Sequence, residues 1–117
     1  MWVSSARVDA PVSACVCYVT AGSPEEARSL GRTLVAERLA ACANILDGMT
    51  SLYWWQGKLE QAEETVVILK TRNELVPALI ERVKQLHSYE CPCVVALPIS
   101  DGNSDYLGWI ESETRSP

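Results

Sequence analysis

The stretch Thr50-Ser51-Leu52-Tyr53-Trp54-Trp55-Gln56-Gly57-Lys58-Leu59-Glu60 decides the fold of this chain. Three consecutive aromatics run into a Gly-Lys turn, and acidic residues then lead to the β-rich run Thr65-Val66-Val67-Ile68-Leu69-Lys70-Thr71. Aromatic and β-branched residues on either side of a glycine turn predict a β-hairpin. Counted back to Ala43 and on to Thr71, each arm is more than about a dozen residues long, against about five or six for an ordinary strand. The hairpin therefore outruns the sheet it grows from. Its tip, Tyr53, Trp54 and Trp55, carries apolar surface that one small domain cannot cover, and exposed apolar area of that kind predicts contact with another subunit.

Outward from the hairpin, the order of elements is regular. Val12 to Thr20 predicts a first strand ended by Ala21-Gly22. Ser23-Pro24-Glu25-Glu26 then supplies a Ser N-cap, Pro at the first helical position and Glu at the third, a full capping box. Ala27, Leu30, Gly31, Leu34, Val35, Leu39 and Cys42 continue at helical spacing as one apolar stripe facing the sheet. After the hairpin, Val76, Leu79, Ile80, Val83 and Leu86 mark a second helix that ends near His87-Ser88. Val94 to Ile99 predicts a last strand, and Tyr106, Leu107, Trp109 and Ile110 a short C-terminal amphipathic helix. Strand, helix, strand, strand, helix, strand is the split order of an α+β, ferredoxin-like βαββαβ sandwich, with the last strand antiparallel beside the first. Residues 1–11 read as a loose N-terminal tail and residues 12–114 as a single domain.

Composition narrows the function classes. The 117 residues are 48% hydrophobic, which suits one globular core. Fifteen acidic against ten basic residues give a net charge of -5, and the basic ones are scattered, so no phosphate-tracking surface and no nucleic-acid partner are expected. No apolar run reaches the roughly 18 residues of a membrane span, so no membrane partner is expected either. Val12-Ser13-Ala14-Cys15 is like a lipoprotein cleavage box, but Arg7, Asp9 and Pro11 before it leave no apolar stretch for a secretory signal. Five cysteines, Cys15, Cys17, Cys42, Cys91 and Cys93, fit neither a disulfide framework nor a zinc ribbon, and point to a reducing compartment. Cys15 and Cys17 share one strand face and, like Cys42, read as small apolar side chains of the core.

Several spaced motifs together resemble the CutA family of divalent-cation tolerance proteins: Glu37-Arg38-Leu39-Ala40-Ala41-Cys42-Ala43-Asn44, the hairpin tip, Glu64 through Thr71, His87-Ser88-Tyr89-Glu90-Cys91-Pro92, and Asp105-Tyr106-Leu107-Gly108-Trp109-Ile110. The resemblance runs from about Ala14 to Ser112. It implies a cytoplasmic homotrimer of ferredoxin-like subunits, similar in architecture to PII signalling proteins, with Tyr53, Trp54 and Trp55 at the interface between neighbours. It also implies binding of a divalent metal ion, copper above all, and a role in metal tolerance. His87 matches the family's His-Pro-Tyr position. The chain departs from the family at Ser88 for Pro, Cys93 for a frequent Glu, Val19 for a first-strand Cys and Leu86 for a second His. Those departures move the expected ligands to His87 with Cys91 or Cys93, a soft set suited to weakly bound copper or zinc. A lone His at a helix C-terminus has a structural explanation too, since a cation there complements the helix dipole.

Other chemistries stand beside this one. Lys70, with Cys42 and Tyr89, would line an intersubunit cleft for a small anion if the chain is a PII-like sensor. A trimeric scaffold without a ligand is a third possibility. Glu60, Glu63 and Glu64 are of the type that serves as hard-metal ligands or general acids, but a run of exposed carboxylates reads rather as a solvated edge that discourages sheet aggregation. Catalysis is not expected: one His and no placed acid give no Ser-His-Asp arrangement, and Ala21-Gly22-Ser23-Pro24 lacks the glycines and Arg of an acylphosphatase cradle.

Overall fold

The computed structural model describes residues 13–117. The tail expected over residues 1–11, and Val12 at the expected start of the first strand, lie outside the described residues. The elements are β1 (Ala14–Ala21), α1 (Pro24–Ala36), β2 (Cys42–Trp55), β3 (Lys58–Arg72), a 3-10 turn (Asn73–Leu75), α2 (Val76–Leu86), β4 (Val94–Pro98) and α3 (Ser104–Glu113). They form one antiparallel sheet in the order β2-β3-β1-β4. This is the α+β, ferredoxin-like sandwich that the sequence predicts.

Alternation along β1 sets the layers. Cys15, Cys17, Val19 and Ala21 are buried, and they pack with Leu30 and Leu34 of α1 and Leu79 and Val83 of α2. The opposite face has no such cover along most of its length. There Val16 and Tyr18 stand beside Leu97 and Val95 of β4, which are 53% and 50% exposed. One end is closed, where Ile110 of α3 packs on Ala14 and Ala41.

The first helix begins as expected, with Ser23 Oγ accepting from Glu26 N–H. The capping box is only half made, however. Glu26 turns its carboxylate to the Gly22 N–H and to Ser88 instead of closing back on the cap residue. The helix also stops sooner than the apolar stripe. It ends at Ala36, Arg38 adopts φ 63°, and Arg38 N–H and Leu39 N–H bond back to Val35 and Leu34 carbonyls. That pairing is a Schellman cap with arginine in the left-handed position usually held by glycine. Leu39 stays in the core through the cap, whereas Cys42 already belongs to β2.

The hairpin arms are 14 and 15 residues long. The turn residues are Gln56 and Gly57, both at positive φ (50° and 79°), which is the primed two-residue geometry. The turn therefore lies one residue earlier than Gly-Lys, and Lys58 already pairs with Trp55. A bulge places Asp47 and Gly48 opposite Thr65, a feature that bends and twists a ribbon. Beyond it the arms leave the sheet, because β1 pairs with β3 only from Thr65 onward. The subunit is accordingly elongated, 54 × 25 × 23 Å.

Candidate functional site: an acidic, aromatic cleft beside the hairpin

A cleft of about 520 Å³ opens where the hairpin leaves the sheet, between the β2 segment carrying Tyr53 and Trp55 and the loop joining α2 to β4. The loop is fixed by a short chain of hydrogen bonds. His87 caps α2 with its N–H on the Val83 carbonyl. Its ring lies 2.7 Å through Nε2 from the Thr20 carbonyl and accepts the Tyr89 N–H at Nδ1, 3.0 Å. Because a carbonyl can only accept, Nε2 carries the proton and the neutral ring is fully engaged. Ser88 donates both N–H (2.8 Å) and Oγ–H (3.0 Å) to Glu26. The Tyr89 ring lies so close to Gly22 that a Cβ there would meet its hydroxyl at 3.2 Å.

Charge inside the cleft is negative. Tyr89 donates its hydroxyl to Glu64 at 2.9 Å. Burial, and then that carboxylate, push the phenol up to about 12. Burial, followed by the charge of Glu64, also raises the Cys93 thiol, against a hydrogen bond with Thr20 that favours its thiolate. Glu90 adds a second carboxylate to the wall, and none of the described lining residues is Lys, Arg or His.

The expected site residues divide. Cys91 and Cys93 both line the cleft. His87 does not join them as a ligand, which corrects the expectation: it is 8% exposed and both ring nitrogens are occupied. Among the described residues, no group of three or more His, Cys, Asp or Glu side chains is placed to hold a metal ion. Within one subunit the trio Cys42, Lys70 and Tyr89 is split. Cys42 and Lys70 are cross-strand partners near α3, where Cys42 Sγ lies 3.7 Å from Tyr106 Oη and Lys70 bonds Asn44. Tyr89 sits on Glu64, six residues along β3 from Lys70 and thus about 20 Å away. Tyr53 and Trp55 line the cleft, while alternation turns Trp54, 74% exposed, to the other side of the ribbon. Glu64 is the functional candidate that sequence reasoning passed over as a solvated edge; its pairing with Tyr89, 25 residues on, is invisible to local pattern.

A family model described as CutA1 divalent ion tolerance protein matches residues 15–113. The chain belongs to the CutA1 family. Among CutA1 relatives, the divalent-cation tolerance protein CutA of Thermus thermophilus is 48% identical over 99 residues, 85% of this chain and 96% of the relative. The chloroplastic CutA 1 of Oryza sativa is 44% identical over 96% of this chain, which spans 65% of the length of that protein. In three dimensions the crystal structure of CutA1 from Oryza sativa superposes with a TM-score of 0.89 at 44% identity, covering 92% of this chain and 98% of that one. The Thermus thermophilus CutA1 structure gives 0.85 at 46% identity, covering 87% and 99%.

Proposed function

We propose that this CutA1-family chain is a non-enzymatic homotrimer that takes up a soft metal ion, copper or zinc, at the thiol wall of the cleft and serves metal-ion tolerance in a reducing, cytoplasmic setting. The observation that carries the metal assignment is the pair Cys91 and Cys93 beside Glu64 in an electronegative cleft. Thiolates favour Cu(I) and Zn over hard cations. One subunit offers too few donors for a closed site, so water or a donor from a neighbouring subunit completes the shell and binding is weak. Metal uptake displaces the thiol proton and strengthens as pH rises.

Assembly is supported by the unsatisfied surfaces. Strands β2 and β4 are different open edges, and joining one to the other on the next copy is a heterologous contact that can close into a ring. Trp54 and Leu59, 74% and 64% exposed on the reverse of the ribbon from the cleft, are apolar surface of the kind that another copy covers. The anion-sensor alternative has less support: none of the cleft's described lining residues is cationic, and Lys70 is held by Asn44 and Tyr106.

Calorimetric titration of zinc and of Cu(I) into wild type and Cys91→Ser/Cys93→Ser tests the metal assignment. The double variant should lose at least about tenfold in affinity, a change of roughly 1.4 kcal/mol. Unchanged affinity would overturn it. Light scattering should return three times the 12.9 kDa chain mass, and a stable monomer would overturn the trimer.

A further inference from the structure

We propose that the cleft also binds a small organic cation, an ammonium group on a short apolar body, between the aromatic rings of Tyr53, Trp55 and Tyr89 and the carboxylate of Glu64. Size comes first. About 520 Å³ lies within the roughly 300–1,000 Å³ of pockets that hold organic molecules, far more room than an ion in direct contact with its ligands requires. The sign of charge comes second, because Glu64 and Glu90 face a space whose described lining contains no positive side chain. Chemistry comes third. Tyr and Trp faces attract cations through the ring quadrupole, and a carboxylate alongside fixes the charged head.

Two features set this ligand apart from the alternatives. Water-exposed carboxylates alone would attract any cation, but Glu64 is half-buried and its carboxylate is oriented by the Tyr89 hydroxyl at 2.9 Å. A neutral apolar guest would leave that charge without a counterpart, a cost an ammonium removes. The ligand does not depend on metal at Cys91 and Cys93, so the two assignments can fail separately.

Titration of the assembled wild-type protein with n-butylammonium and with tetramethylammonium, at low ionic strength and with a chelator present, reads binding through tryptophan fluorescence and calorimetry. Saturable binding is expected for both cations and not for the neutral control tert-butanol. Glu64→Gln should weaken it about tenfold, consistent with loss of a charge-assisted contact. If Glu64→Gln does not fold, Glu90→Gln removes charge from the same wall and should weaken binding in the same direction. No saturable binding, equal binding of tert-butanol, or indifference to removal of the wall carboxylates would overturn the proposal.

Discussion

Glu26 links two parts of the fold through one carboxylate. Burial opposes its charge, but the Ser88 N–H and Oγ–H and the Gly22 N–H outweigh burial and hold the carboxyl below the ordinary glutamate range. A folded-state value below the unfolded value of about 4.3 contributes stability that is complete above that pH and lost as pH falls through the folded value. Glu26→Gln should therefore flatten the acid side of the stability profile, and Glu26→Ala should cost about 1–3 kcal/mol at neutral pH. Urea unfolding across the acid range checks both. Ser88→Pro should reproduce part of the loss, because proline has no N–H and no hydroxyl to offer. The cap itself was legible in Ser23-Pro24-Glu25-Glu26, since a capping box is a local pattern. The destination of the Glu26 side chain was not, because Ser88 lies 62 residues away. His87 is the same case. Its residue type suggested a metal ligand, and only the tertiary positions of Thr20 and Tyr89 make it a structural hub. His87→Ala should accordingly lower stability by about 1–3 kcal/mol, with metal affinity in the surviving folded protein within about twofold of wild type by calorimetry.

At the scale of elements, the end of α1 shows where periodicity stops informing. Leu39 continues the apolar stripe, yet the chain has already left the helix, and the signal that glycine usually gives is missing because Arg38 takes the left-handed position. What holds it is visible only in the fold. The guanidinium bonds Glu113 at 2.8 Å, and the Arg38 carbonyl accepts Arg115 N–H at 2.9 Å, so the end of α3 braces the cap. Two opposed terms then decide Arg38→Gly. Relief of the left-handed backbone is worth about 1 kcal/mol, and the exposed ion pair it removes is worth less than about 1 kcal/mol. Thermal melting should show little change for Arg38→Gly and a loss of about 1–2 kcal/mol for Arg38→Val, whose branched side chain resists positive φ. The hairpin gives the opposite lesson. Its existence and length were legible because aromatic and β-branched residues flank a glycine, although the turn settled on Gln56-Gly57 so that both positive-φ positions fit between paired Trp55 and Lys58.

On the scale of the whole molecule, element order was enough for the sandwich, since the strand-helix-strand-strand-helix-strand sequence leaves few antiparallel arrangements. The cleft was less accessible, because it forms between segments distant in sequence and its polarity depends on Glu64 meeting Tyr89. The aromatic tip was recognised as a unit but is in fact divided, with Tyr53 and Trp55 on the cleft and Trp54 beside Leu59 on the reverse of the ribbon. That division yields a sharper test of assembly than any substitution within the cleft. Trp54 is 74% exposed in one subunit and takes no part in its core. In an isolated subunit, Trp54→Asp would change stability by no more than about 0.5 kcal/mol, the usual range for exposed positions. In a trimer it would place an unpaired charge in an apolar contact, and the folded state would lose the stabilisation that association supplies by mass action. The expected outcome is a lower melting temperature together with a smaller mass by light scattering, and wild-type melting should itself fall on dilution. Melting independent of concentration, with Trp54→Asp indistinguishable from wild type, would leave the exposed face without a second copy and remove the assembly proposal.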